Sequence, residues 1–186
     1  MTDIYEFDKI KKSEIVRRIR EGEIFIYPTD TIYGIGCNAL KQGSVKLIKD
    51  IKRRDNRPLS VIAPNKQWIS RNLVVRNKHF IKKLPGPYTY IMEIKKRAVA
   101  RNVNPGLKTL GVRIPDHPFT NLIKKANVPF ITTSVNFSGK NPIREISKIP
   151  KSILKNVDVV IDNGYLHNYP STLIDLTGEI PKIIKR

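Results

Sequence analysis

Glu23-Ile24-Phe25-Ile26-Tyr27-Pro28-Thr29-Asp30-Thr31 is the stretch on which the reading of this chain turns. Residues 23–27 are apolar and aromatic, bounded by Gly22 and Pro28, and they read as a strand that runs into a loop of hydroxyls and a carboxylate. Upstream, Ile10, Ile15, Val16 and Ile19 recur at helical spacing over residues 8–21, with Gly22 as the stop. Downstream, Ser44 is a candidate N-cap for a helix that turns Val45, Leu47, Ile48 and Ile51 inward. Leu59–Ala63 reads as a short strand, 77–84 as a helix broken by Pro85-Gly86-Pro87, and Tyr88–Ile94 and Leu110–Ile114 as strands. A helix over His117–Asn127, a strand over Pro129–Thr133, a helix over Glu145–Lys155 and a strand over Val157–Asp162 follow. Thr172–Leu176 and Lys182–Lys185 close the chain as a hairpin. This alternation predicts an α/β domain with a mixed sheet and no linker, its loops at 28–38, 134–144 and 163–171 carrying the chemistry.

At 186 residues, 40% of them hydrophobic, the chain suits one domain spanning 1–186 with a sizeable core. The longest run without a formal charge is the segment Ala126–Gly139. A membrane span needs about 20 apolar residues, and this segment contains Asn, Thr, Ser, Pro and Gly, so none is expected. Asp3, Glu6 and Asp8 interrupt any secretory h-region, and the lone Cys37 fits a reducing, cytoplasmic setting. Thirty-five Lys plus Arg against 16 Asp plus Glu give a net charge of +19, which favours anionic partners. Ile, Lys and Asn together supply 63 residues and Ala only 5, a bias that an AT-rich genome also produces. Position separates the two explanations: residues 41–110 hold 18 Lys/Arg and 3 Asp/Glu, or +15 of the +19.

Standard motifs are few. There is no G-x-x-x-x-G-K-[ST] phosphate loop and no G-x-S-x-G elbow. Tyr33-Gly34-Ile35-Gly36 is half a dinucleotide fingerprint, and a tight turn is its plainer reading. His79, His117 and His167 lack Cys or carboxylate neighbours at metal-ligand spacing, so no protein metal site is expected. Asp175 suits a turn cap as well as a catalytic role. What remains is a set of polar clusters: Pro28-Thr29-Asp30-Thr31, Lys52-Arg53-Arg54 with Arg57, and Ser134-Val135-Asn136-Phe137-Ser138-Gly139. Taken singly, each reads as a turn or a solvated helix end. Ligands of open α/β sheets gather outside the carboxyl ends of strands, so jointly these clusters favour a phosphate-rich ligand such as a nucleoside triphosphate.

Six stretches in order resemble one family. Tyr27–Gly34 is similar to the YPT[DE]TVYGL opening of the YrdC-like family, the threonylcarbamoyl-AMP synthases. Ile51-Lys52-Arg53-Arg54 resembles its K-x-R element, with Arg57-Pro58-Leu59 in place of N/K-P-L. Leu84–Thr89 resembles L-P-G-P-x-T, and Gly111–Pro118 the V-R-[VI]-P-x-H-P strand. Thr133–Gly139 resembles T-S-A-N-x-S-G, and Ser171–Leu176 the S-T-[VI]-[VI]-D element. The resemblance implies a YrdC-like fold: a twisted open mixed sheet with flanking helices and a basic concave cavity.

It also implies a reaction. L-threonine, bicarbonate and ATP give threonylcarbamoyl-AMP and pyrophosphate, feeding N6-threonylcarbamoylation of adenosine 37 in tRNA, with Mg²⁺ carried by ATP. Threonine's amine captures CO2 as a carbamate, whose oxygen attacks the α-phosphorus. Such chemistry needs positioning and cationic donors more than a nucleophilic side chain, which agrees with the absence of a triad. By the family pattern Lys52 and Arg54 clamp phosphates, Ser134 and Asn136 hold the nucleotide, and Arg186 reaches it. Thr29 or Thr31, Arg113, Thr132 and Ser171 lie around threonine, with Arg113 suited to its carboxylate. Two departures stand out. Some members carry a His where this chain has Ala63, and some carry a second C-terminal domain, so the chain is expected to be of the single-domain type. A separate transferase is then expected to complete the tRNA modification, with at most weak, salt-sensitive tRNA binding by this chain. The rival reading is a non-catalytic double-stranded RNA or tRNA binder of the same fold. The basic 41–110 segment suits it, and the T-S-x-N loop facing a K-x-R element does not.

Overall fold

The computed structural model describes residues 2–53, 57–136 and 141–185. In chain order the elements are β1 (Asp3–Glu6), α1 (Lys12–Glu21), β2 (Phe25–Tyr27), β3 (Gly34–Gly36), α2 (Gln42–Lys52), β4 (Ser60–Ile62), α3 (Lys66–Asn72) and α4 (Lys78–Lys82). They continue with β5 (Tyr88–Glu93), β6 (Thr109–Arg113), α5 (Phe119–Ala126), β7 (Phe130–Ser134), α6 (Lys151–Leu154), β8 (Val159–Asp162), β9 (Thr172–Asp175) and β10 (Lys182–Ile184). The described strands make one twisted, mixed sheet in the order β1-β8-β2-β3-β7-β4-β6-β5-β9-β10. Parallel pairing joins β1 to β8, β8 to β2, β4 to β6 and β5 to β9, and the other neighbours are antiparallel.

Apolar residues of the central strands alternate between two cores, as a two-residue period requires. Phe25 and Tyr27 join Ile15, Ile19, Phe119 and Phe130 in a cluster beneath α1 and α5. Ile24 and Ile26 face the opposite way, into a cluster with Val45, Ile48, Val61 and Val112. Tyr27 stacks on Phe119 at 4.7 Å between centroids, and Phe130 meets both rings edge-on. Each such fully buried side chain contributes roughly 1.5–3 kcal/mol. This cluster anchors the end of β2, and so the start of the Pro28–Thr31 loop.

Several expectations are corrected. Tyr33–Gly36 is not a tight turn, because Gly34–Gly36 is a central strand, paired to β2 and β7. Its glycines answer to crowding. A Cβ on Gly36 would lie 1.9 Å from the Ile131 carbonyl oxygen, and one on Gly34 would lie 2.8 Å from the Tyr27 ring. Ser44 does not cap α2, which begins at Gln42 after Lys41 without a side-chain cap. The helix expected over 145–155 is a 3-10 turn at Ile146–Lys148 followed by α6, because Pro150 between them offers no N–H. Two short elements, β1 and α3, carried no periodic signal strong enough to be expected. The terminal hairpin forms, with Lys182 opposite Asp175. Asp175 is a turn cap, accepting from the Thr177 N–H and hydroxyl at 2.9 and 2.7 Å.

Candidate active site

One face of the sheet holds a cavity of about 490 Å³. Alternation along the strands selects its lining: Thr89 and Ile91 of β5, Thr109, Gly111 and Arg113 of β6, and Ser171 and Leu173 at the start of β9. The β2–β3 loop adds Thr29 and Thr31, the end of α2 adds Lys52, and β7 adds Thr132–Ser134, with Asn136 beyond it. Among the described lining residues, Lys52, Arg57 and Arg113 are cations and no carboxylate is present. The expected basic concave cavity is there.

At one corner the last turn of α2 points a buried lysine at the loop after β7. Lys52 Nζ donates to the Ser134 carbonyl at 2.6 Å, the Asn136 carbonyl at 2.9 Å and Asn136 Oδ1 at 3.1 Å. Ser134 Oγ donates to the same Asn136 Oδ1 at 2.5 Å. Lys52, Ser134 and Asn136 are therefore one unit, although 82 residues separate the first two in the chain. Lys52 is not a solvated helix end, since only 3% of its surface is exposed. Arg54 and Arg186 lie outside the described residues.

At the other corner Arg113, 6% exposed, is held by the β2–β3 loop. Its Nη2 donates to Asp30 Oδ1 at 2.6 Å, and Nη1 and Nη2 reach Thr31 Oγ1 at 3.4 and 3.5 Å. Nε is buried without a hydrogen-bond partner. Burial pulls the guanidinium below its ordinary pKa, and the Asp30 carboxylate opposes that pull. Thr29 Oγ1 donates to the Ile32 carbonyl at 2.7 Å and accepts from the N–H groups of Thr31 and Ile32. It also lies 2.9 Å from Thr31 Oγ1, a contact that either hydroxyl can donate. Thr29 is committed within its turn, whereas Thr31 keeps lone pairs for a donor.

The expected residues Thr29, Thr31, Lys52, Arg113, Thr132, Ser134, Asn136 and Ser171 all line this one cavity. Thr89 was missed: its hydroxyl pairs with that of Ser171 at 2.8 Å, both buried. It is the last residue of the stretch that resembles L-P-G-P-x-T, so the signal was present without a role attached. Ser60, Thr109 and Arg57 also line the cavity, and Asp30 stands behind it. Ala63 is fully buried, and its N–H bonds the Arg113 carbonyl. His117, behind Asp30, accepts from the Phe119 N–H through Nδ1 at 3.1 Å and meets the Phe7 ring edge-on. Burial lowers its pKa from 6.5, while Asp30 and Asp116 oppose the shift. Among the described residues no group of three or more His, Cys, Asp or Glu could hold a metal ion.

Residues 17–186 match the Sua5/YciO/YrdC family model, described as "Telomere recombination". A Methanocaldococcus jannaschii protein, provisionally named a threonylcarbamoyl-AMP synthase, is 39% identical over 95% of this chain and 87% of its own length. The threonylcarbamoyl-AMP synthase of Pyrococcus abyssi is 33% identical over 90% of this chain, which spans about half of that protein, 51%. The crystal structure of P. abyssi Sua5 complexed with L-threonine superposes with a TM-score of 0.87 at 28% identity, covering 99% of this chain and 57% of that one. Escherichia coli YciO superposes with a TM-score of 0.87 at 26% identity, over 100% of this chain and 95% of its own.

Proposed function

The chain belongs to the Sua5/YciO/YrdC family, and we propose from that premise that it is a threonylcarbamoyl-AMP synthase, a nucleotidyltransferase acting on L-threonine, bicarbonate and ATP. One observation carries the reading: a single cavity joins a lysine–serine–asparagine corner to an arginine–threonine corner and holds no lining carboxylate among its described residues. The first corner suits the phosphates of ATP, with Arg54 and Arg186 expected beside them. The second suits a zwitterionic amino acid. Arg113 takes its carboxylate, Thr31 accepts from its ammonium or hydroxyl, and the hydroxyls of Thr132, Thr89 and Ser171 complete a polar wall. A relative in the same family, P. abyssi Sua5, has been crystallised with L-threonine.

Bicarbonate takes up a proton and sheds water to give CO2, to which threonine's amine forms a new N–C bond with loss of a proton. A carbamate oxygen of the product attacks the α-phosphorus, and the bond to the pyrophosphate oxygen breaks. No protein nucleophile takes part, and the cations and hydroxyls hold the two reactants in line and balance charge on the phosphoryl oxygens. Mg²⁺ enters as part of the substrate, bound to the ATP phosphates. No helix among the described residues is long and apolar enough to cross a membrane, and a cytoplasmic setting suits an ATP-consuming tRNA-modification step. A separate transferase consumes the adenylate. Exposed Lys78, Lys82, Lys83, Lys95 and Lys96 offer tRNA a weak, sequence-independent contact that salt disrupts.

Pyrophosphate release tests the reading. It should require ATP, threonine and bicarbonate together, and tRNA should be dispensable. Release that is indifferent to threonine would sink the proposal, and tight, salt-resistant RNA binding without release would favour the non-catalytic binder instead.

A further inference from the structure

Asp30 is absent from the cavity lining, yet three hydrogen bonds tie it to segments distant in the chain. Only 10% of its side chain is exposed. Oδ1 accepts from Arg113 Nη2 at 2.6 Å and Oδ2 from the Asp116 N–H at 3.0 Å. The Asp30 carbonyl in turn accepts from Asn168 Nδ2 at 2.8 Å, so the segments before α5 and β9 both clamp this residue. The carboxylate therefore has one position available to it, and it meets Arg113 at one end only.

That one-ended contact has a consequence for the guanidinium. An arginine fork offers five N–H donors and pairs best with a carboxylate through two parallel bonds. Asp30 takes one short bond at Nη2, Thr31 lies at the long distances of 3.4 and 3.5 Å, and Nε has no partner. A buried cation left in that condition is costly unless a second acceptor arrives. Asp30 supplies enough charge to keep Arg113 buried as a cation but leaves part of its donor capacity unfilled.

We propose that Asp30 is a positioning residue for amino-acid recognition: it fixes the Nη2 end of Arg113, so that the remaining donors select a ligand carboxylate over its uncharged amide. The inference rests on the reading of Arg113 as the partner of the threonine carboxylate, and it adds the residue that makes that partner selective. Asp30 touches no reacting atom, so it should act on recognition of one substrate and leave the chemical step alone.

The test uses the full chain with Asp30→Asn, which is isosteric, and Asp30→Glu, which keeps the charge. Calorimetric titration with L-threonine and with L-threonine amide gives affinities without turnover, and pyrophosphate release gives kcat and each KM. In the wild type, threonine should bind at least about tenfold more tightly than its amide, as expected for losing a bond between charged groups. Asp30→Asn should weaken threonine about tenfold or more while changing the amide by less than about threefold, so that discrimination collapses. The KM for ATP and kcat at saturating threonine should stay within about threefold, since uniform binding is what is lost. Asp30→Glu should regain part of the discrimination. Equal weakening of threonine and amide, a matching rise in the KM for ATP, or an unchanged Asp30→Asn variant would overturn the inference. If Asp30→Asn melts below the assay temperature, Asp30→Glu decides: loss confined to threonine supports the proposal, and equal loss for ATP contradicts it. Carboxylate-selective threonine binding by a wild type that releases no pyrophosphate would support this inference while sinking the synthase reading. A wild type that binds no threonine would overturn both.

Discussion

The two cations at the ends of the cavity are buried to a similar degree, Lys52 at 3% and Arg113 at 6% exposure, but they are different cations held by different elements. Among its described contacts, Lys52 donates to oxygens of Ser134, at the end of β7, and of Asn136 just beyond it. Arg113 meets a carboxylate, so its corner is formally neutral before any ligand arrives. The described contacts of Lys52 fix its ammonium at the cavity wall, where a point charge suits a polyanion. A carboxylate partner cancels the arginine's net charge and leaves directional donors, which suits a zwitterion whose own charges also sum to zero. Polarity alone would not separate a site for ATP from a site for threonine, but a point-charge lysine at one corner and a carboxylate-paired arginine fork at the other do.

Lys52→Ala should produce the largest effect. Removing one aimed donor that also anchors the Ser134–Asn136 loop should lower turnover by about 10²-fold or more. Calorimetric threonine affinity should stay close to wild type, and a large loss there would merge the two corners into one. Arg113→Lys should do the converse, raising the threonine KM roughly 10–100-fold by exchanging a fork for a point charge, with the KM for ATP little changed. Steady-state kinetics with each substrate varied in turn would check it.

Substrate choice sharpens the comparison next. Valine keeps threonine's shape but has no hydroxyl to hydrogen-bond with the polar wall that Thr31, Thr132 and Ser171 form. It should therefore be disfavoured by on the order of 1–3 kcal/mol in relative kcat/KM, with serine rejected less strongly. Equal rates with valine would remove the hydroxyl wall from the account.

The smallest effect concerns His117 behind the arginine corner. Burial holds its folded pKa below the ordinary 6.5, so the unfolded chain takes up this proton first as pH falls. The stability that neutral His117 contributes is therefore present above about pH 6.5 and is lost as pH drops through the folded value. His117→Asn retains an acceptor for the Phe119 N–H and should flatten the fall in melting temperature between pH 7 and 5. An unchanged slope would show that other groups govern it.

Much of this was legible in the chain because it was written locally. The double-sided burial of β2 shows in Ile24–Tyr27, and the helix stop at Gly22 adopts φ 94° as its position requires. Thr29, Thr31, Lys52, Ser134 and Asn136 were legible within three polar clusters, whereas Arg113, Thr132 and Ser171 came from the resemblance alone. What stayed hidden depends on distant contacts. Gly34 and Gly36 look like a turn until Tyr27 and Ile131 crowd them from neighbouring strands. Lys52 looks solvated until the β7 loop folds back over it, and Asp30 looks like a turn residue until Arg113 arrives from 83 positions away. Side-chain partners of that kind leave no periodic trace.

Product analysis with ¹³C-labelled bicarbonate tests the central claim most directly. Purified protein, ATP, Mg²⁺, L-threonine and the labelled bicarbonate would be incubated without tRNA and examined at once by mass spectrometry. The account predicts threonylcarbamoyl-AMP carrying the label in its carbamoyl carbon, in step with released pyrophosphate. ATP turnover that leaves the label in bicarbonate, or AMP formed without a threonine adduct, would contradict it.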